Sequence, residues 1–432
     1  MKNTVTDFDI TIIGGGLVGA TLACALSAQE QTQDLKIAIV DPQDLTLTKP
    51  MQSDETFDVR VSAITRASQH IFEAIGVWPI MAAQRISPFR HMHVWEQAGT
   101  SEVHFDSAAL GECQLSETQL GHIIENRVML SSLYDKLKHK ANVYFLFGGA
   151  CRSMQLEDDQ LGDNQWQLEV GGQTLRTKLL VGADGSRSWV RQQLDITTRG
   201  WDYNHTALVT TVKTEKPHQE TAWQRFLATG PLAFLPLSKG YSSIVWSTQP
   251  ELATALQAMP EKEFKNELEQ AFESRLGAIT ELGKRACFPL RFFVAETYIG
   301  DSAVLVGDAA HTMHPLAGQG VNLGLLDAAS LAQVIEQALA KGQQLNSHKV
   351  LRQYERWRKA ENISMLVMVD QIQRLFGTDH SWLKWVRNTG MQWFEQLSPV
   401  KHQIIDYAMG LHGDLPRIAR PLESLPFESQ IE

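Results

Sequence analysis

The stretch DFDITII at residues 7–13 is a short β-branched run that ends on three glycines, and the chain then places apolar residues at helical spacing through LVGATLACALSAQ. LKIAIVDP follows as a second short apolar run, so the opening reads as strand, turn, helix, strand. Ile10–Ile13 and Ile37–Val40 are continuously apolar rather than alternating, the pattern of parallel strands covered on both faces. TKLLVGADGSRSWVR at 177–191 and SAVLVGDAAH at 302–311 repeat the motif of an apolar strand running into a glycine–acid turn, and the pattern predicts that all three share one sheet. Residues 90–106 and 205–248 alternate or cluster apolar and β-branched residues between Gly, Pro and Ser turns, which predicts a second, largely antiparallel sheet. Residues 260–276 and 323–410 read as helices. The expected architecture is α/β: a discontinuous Rossmann-like domain at 1–85, 121–195 and 286–350, an inserted antiparallel β-sheet domain at 86–120 and 196–285, and a helical C-terminus at 351–432.

A chain of 432 residues exceeds what one hydrophobic core usually supports. The net charge of −10 argues against a nucleic-acid partner, which needs clustered Lys and Arg. Cys24, Cys113, Cys151 and Cys287 lack the spacing of a disulfide framework or a zinc site, so a reducing cytoplasm is expected. Neither a signal peptide nor a run of roughly twenty apolar residues is expected. Membrane contact, where there is any, would be peripheral, on the inner face, and the basic-then-apolar helix at 351–377 suits core packing, a homo-oligomer contact or a lipid surface.

Gly14, Gly16 and Gly19 form a G-x-G-x-x-G between strand and helix. The first permits the tight turn, the second lets a pyrophosphate approach the backbone, and the third lets helix pack on strand. Asp41 stands where an acid that accepts ribose hydroxyls should stand. This motif fits NAD or FAD alike. The further turns decide between them: GADGSRSWVR supplies Asp184 and Arg191, and VGDAAHTMHPLAGQGVN supplies Gly307, Asp308, Pro315, Gly318, Gly320, Val321 and Asn322. A simple dehydrogenase needs neither, whereas FAD, longer and stretched across the sheet, needs contacts for its ribityl chain and ring.

The three motifs, in this order and spacing, resemble the group A flavoprotein monooxygenases of the para-hydroxybenzoate hydroxylase fold. DVRVSAIT, GHIIENRVM, GADGSRSWVR, FLPL, VWS and GDAAHTMHPLAGQGVNLG resemble more closely the ubiquinone-biosynthesis hydroxylases that act on polyprenyl phenols and quinols, over residues 7 to 411. The resemblance implies that Asp308 accepts a ribityl hydroxyl and that the Pro315–Asn322 stretch brings backbone N–H groups to the flavin pyrimidine edge. It also implies that Arg60 lies beside the flavin, Arg127 on its adenine side, and that Asp184 and Arg191 serve both FAD and a nicotinamide cofactor. Relatives often carry glutamate where this chain has Asp41, and the carboxylate role survives. The implied reaction is NAD(P)H reduction of FAD, capture of O₂ as a C4a-hydroperoxyflavin, and oxygen transfer to an electron-rich ring carbon. No residue is identified as a general base.

Alternatives at this stage are another flavin-dependent reductase or halogenase on the same scaffold and a non-catalytic FAD-binding subunit of a ubiquinone-biosynthesis assembly. The W-x-W-x-I-P string of the halogenases is absent. His311 and His314 flank Asp308 at a spacing a metal could use, yet no second carboxylate cluster accompanies them, so they are expected to shape the loop and no metal is expected. Arg60 has a surface ion pair as its ordinary alternative. Trp95, Phe226, Phe234 and Trp246 read as sheet core, with lining of the substrate cavity as the alternative.

Overall fold

The computed structural model describes residues 5–48, 56–97, 102–107, 119–157, 164–312, 320–377 and 409–421. Its first sheet is built on four parallel neighbours: β1 (Thr6–Ile13) lies between β2 (Ile37–Asp41) and β11 (Gln173–Gly182), and β19 (Ala303–Leu305) lies beyond β11. β8 (Val143–Phe147) extends the far edge in parallel, and β18 (Ile299–Gly300) closes the other edge antiparallel. A meander of β9 (Cys151–Glu157) and β10 (Gln165–Val170) attaches to β11. The strands predicted to share a sheet are thus direct neighbours, and their apolar runs are buried because α1 (Leu17–Ala28), α4 (Asn126–Leu137) and α8 (Gly320–Ala340) join them in one core.

Among the described residues the second sheet has nine strands, in the order β20 (His311–Thr312), β17 (Ala286–Ala295), β12 (Thr198–Thr214), β15 (Tyr241–Thr248), β14 (Gly230–Pro236), β13 (Thr221–Leu227), β5 (His91–Glu96) and β6 (Glu102–Asp106), with β16 (Ile279–Leu282) on β12. Every pairing is antiparallel except β13 with β5. Two helices, α6 (Pro250–Ala258) and α7 (Glu261–Ala271), give the sheet its own core on one face. Between the sheets, β3 (Val61–Thr65), β7 (Gly121–Glu125) and β4 (Ser87–Phe89) form a small antiparallel sheet, flanked by α2 (Arg66–Ala74) and α3 (Trp78–Ala82).

Two boundaries differ from expectation. β17 belongs to the second sheet, so the seam falls after Ala295 rather than at 285, because the strand runs in register along β12 from Thr198↔Ala295 to Val209↔Ala286. β4 pairs with β7, leaving the second sheet to begin at β5. The helical reading of 323–410 resolves into α8 and α9 (His348–Gly377), interrupted where Gly342 adopts φ +64. Residues 378–408 lie outside the described chain, as does Cys113. A short α5 (Trp189–Gln193) follows the second glycine–acid turn.

Candidate functional site

Register places the three turns side by side. Ile13 pairs with Gly182 and Gly182 with Leu305, so all three strands deliver their carboxyl ends to one edge of the sheet, the usual ligand crevice of open parallel sheets. At the first turn Gly14 has φ +105, and a Cβ there would sit 2.3 Å from the Ala183 carbonyl oxygen. A Cβ on Gly19 would sit 2.1 Å from the Gly14 carbonyl oxygen, so α1 packs directly on the turn. Gly16 is the opposite case: a Cβ there would meet nothing within 4 Å among the described residues, and the turn is open on that side. Gly16 caps α1 with no side-chain hydrogen bond and no acid in the first turn, which leaves the helix N-terminus able to receive phosphate.

The Gly15 N–H donates to Asp41 Oδ2 at 2.9 Å, and the Gln43 N–H donates to Oδ1 at 2.9 Å, which fixes the carboxylate at the end of β2 with lone pairs to spare. Tyr134, buried on α4, donates its hydroxyl to the Gly15 carbonyl at 2.7 Å. A side chain on Gly15 would collide with that hydroxyl at 2.4 Å. Tyr134 carried no motif and was missed by sequence.

At the second turn Asp184 Oδ2 accepts the Val190 N–H at 3.0 Å, while Oδ1 is buried without a hydrogen-bond partner among the described residues, a valence that a bound hydroxyl would satisfy. Arg191 does not reach outward. Its buried guanidinium donates to the Ser186 carbonyl at 3.0 Å and the Ala309 carbonyl at 2.7 Å, tying the second turn to the third, and stacks over Phe293.

At the third turn Gly307 has φ +58, and its N–H donates to Asp327 Oδ2 at 3.0 Å. That same oxygen lies 2.6 Å from His311 Nε2, and Oδ1 accepts from Arg358 Nε at 2.8 Å and Asn362 Nδ2 at 3.1 Å. Burial alone would raise the Asp327 pKa, but His311 and Arg358 overcome it and hold the carboxyl at about 2. His311 is therefore spent inside the fold, and its partner lies sixteen residues on, at a helical position that no motif marked. Gly324 completes the packing: a Cβ there would lie 2.6 Å from Val18 and 3.2 Å from the Gly307 Cα.

Asp308 itself is exposed. The surrounding protein mass raises its pKa, with His311 and Arg60 opposing. Arg60 is exposed too, with its guanidinium 5.4 Å from the centre of the Phe288 ring. Arg127 lies in the first turn of α4, half-buried. Asn322 turns its side chain away, accepting from the Thr65 N–H at 3.1 Å and donating to the Ala63 carbonyl at 2.8 Å. What it, Gly320 and Val321 can offer a ligand is the backbone of the α8 first turn. His314, Pro315 and Gly318 lie outside the described residues.

Trp95, Phe234 and Trp246 belong to the core beneath α6 and α7, and Phe226 is buried on β13. The opposite face of the sheet carries Ala207, Val209, Val245, Ala286, Phe288 and Leu290 with Val59, one residue from Arg60. On the β5–β6 hairpin, His93, Glu102 and His104 bring ligand atoms within 4.8 Å of one another. Arg275 occupies that position, with Nη1 3.2 Å from Glu102 Oε2 and 3.4 Å from His93 Nε2. A guanidinium is the cation there.

The FAD binding domain family matches residues 7–366. The chain is 36% identical to the 3-demethoxyubiquinol 3-hydroxylase of Escherichia coli K12, over 95% of this chain and 100% of that one. It is 35% identical to the mitochondrial ubiquinone biosynthesis monooxygenase COQ6 of Xenopus tropicalis, over 93% of each. Among solved structures, the p-nitrophenol 4-monooxygenase PnpA of Pseudomonas putida DLL-E4 superimposes with a TM-score of 0.74 at 18% identity, over 94% of this chain and 98% of that one, a likeness of fold. The glycine turn, the orphaned Asp184 oxygen and the exposed Asp308 suit an extended flavin dinucleotide, and with these matches the chain belongs to the FAD-dependent monooxygenases, in the ubiquinone-biosynthesis hydroxylase family.

Proposed function

We propose that this protein hydroxylates the aromatic ring of a polyprenyl phenol or quinol in ubiquinone biosynthesis, using FAD, NAD(P)H and O₂. The observation that carries the reading is the alignment of three turns along one sheet edge: a glycine turn with an open helix N-terminus, Asp184 with an unpartnered oxygen, and Asp308 exposed beside Arg60. In this reading the α1 N-terminus and Gly16 hold the pyrophosphate, Asp41 a ribose, Arg127 the adenine side, and Asp184 and Asp308 the ribityl region. Arg60 and the first-turn amides of α8 approach the ring, where they favour negative charge.

When bound, the flavin supplies the redox chemistry that activates O₂ for transfer to carbon. The protein's own part is to position the aromatic ring and exclude water. The face formed by Ala207, Val209, Val245, Ala286, Phe288 and Leu290 supports this, since it offers small and apolar groups, with Arg60 over Phe288 at its border. A polyprenyl tail partitions into lipid, which favours work at a membrane surface. Among the described residues no helix is long and apolar enough to cross a membrane.

The test is turnover of purified, FAD-loaded protein with NADH or NADPH and a short-chain demethoxyubiquinol under ¹⁸O₂. The expected product carries one labelled ring hydroxyl. Flavin reduction and reoxidation without label in any polyprenyl phenol or quinol would overturn the proposal.

A further inference from the structure

The C-terminal helix meets the third turn through polar side chains four residues apart. Tyr354 donates its hydroxyl to the Leu305 carbonyl at 3.0 Å, on the strand that leads into the turn. One helical turn later Arg358 donates to Asp327, and one turn after that Asn362 donates to the same oxygen while accepting from Arg358 Nη2 at 2.8 Å. Glu355, beside this stripe, accepts from Thr297 Oγ1 at 2.7 Å and from the Tyr298 N–H at 2.9 Å, just before β18. Arg358 is 2% exposed, and Asn362 and Asp327 are fully buried.

Stability alone does not ask for this arrangement. Well-packed apolar groups of similar volume would serve as well or better than a buried ion pair. What they would not do is fix a backbone N–H. Asp327 has one oxygen on the Gly307 N–H and the other on α9, so its carboxylate is a rigid link between that helix and the residue preceding Asp308.

We infer that Asp327, Arg358 and Asn362 are positioning residues through which α9 sets the Gly307–Asp308 turn, so that seating of α9 and binding of FAD are linked. Linkage is reciprocal. A seated helix presents a formed turn to the cofactor, and a bound cofactor holds the helix in place. The inference rests on the third turn meeting FAD and is indifferent to which ring is hydroxylated.

Hydrogen exchange on the full-length protein, with and without FAD, tests the link without any substitution. FAD is expected to slow exchange about tenfold at 354–362 as well as at 303–311. FAD bound with unchanged exchange at 354–362 overturns the inference. Arg358→Met is expected to weaken FAD about tenfold, measured by flavin fluorescence, and to shift the visible spectrum of the bound flavin. Arg358→Lys, which keeps a cation beside Asp327 but loses the contact to Asn362, should fall between Met and wild type. A purely structural role would lower the melting temperature of the apoprotein and leave both flavin affinity and spectrum at wild-type values, which also overturns the inference. The site reading fails separately: if Asp308→Ala retains FAD, the turn is not the cofactor contact.

Discussion

The two ends of the site are built by different means. At the first turn, between Gly14 and Gly19, the geometry comes from what is missing: side chains are excluded at 2.3 Å and 2.1 Å from neighbouring carbonyl oxygens, and the backbone turn is shaped by contact. At the third turn, around Gly307, it comes from what has been added, a buried carboxylate with four hydrogen-bonding partners drawn from the turn and from α9. Steric exclusion needs only close neighbours and tolerates no enlargement. A polar network reaches far along the chain and tolerates no loss of a member.

That contrast can be broken from either side. The largest effect is expected from Asp327→Leu, which leaves Arg358 buried without its partner and should cost about 4 kcal/mol, read as a drop in urea midpoint. Gly19→Ala should cost about 3 kcal/mol, because the added methyl meets backbone rather than a movable side chain. Gly16→Val and Asp308→Ala sharpen the distinction, for both positions are open. Each should leave the unfolding free energy from urea titration within about 1 kcal/mol of wild type while FAD affinity falls by roughly 2 kcal/mol, and retained affinity in either would remove that residue from the site.

A further effect, of similar size, is one of pH. Asp327 is depressed from the ordinary 3.8 to about 2, so its stabilisation is complete above 3.8 and is lost as pH falls toward 2. The stability gap between wild type and Asp327→Asn should narrow by about 2 kcal/mol over that window, with urea titrations at pH 5, 3.5 and 2 as the measurement. A gap that is flat with pH would mean that the fold does not lower the Asp327 pKa.

What the chain reveals on reading follows the same division. The strand–turn–helix at 6–28 is local, its glycines and its apolar run adjoin one another, and its fold position was legible. So was the kinship of the strands before Asp184 and Asp308, since each repeats the same apolar-to-glycine texture. Asp327, Arg358 and Asn362 were not, because a polar residue inside a helical pattern looks like a solvent position until its partners are known. The spacing of four shared by Tyr354, Arg358 and Asn362, at positions where an amphipathic helix should be apolar, is the signal that was available. The β17 boundary was missed for a related reason: ACFPLRFFVA is apolar enough for either sheet, and only register along β12 assigns it. Arg191 was legible as a motif residue but not in its use, which is to brace two turns.

The order of strands in the first sheet also bears on how the chain is made. β1 ends at Ile13, yet its neighbour β11 begins only at Gln173 and the next strand, β19, at Ala303, so β1 is synthesised well before either. Pairings of such separation form late and slowly. A nascent chain must therefore carry the apolar β1 unpaired on its β11 side until the residues up to Gly182 have been made, an interval in which that open edge is exposed to wrong partners.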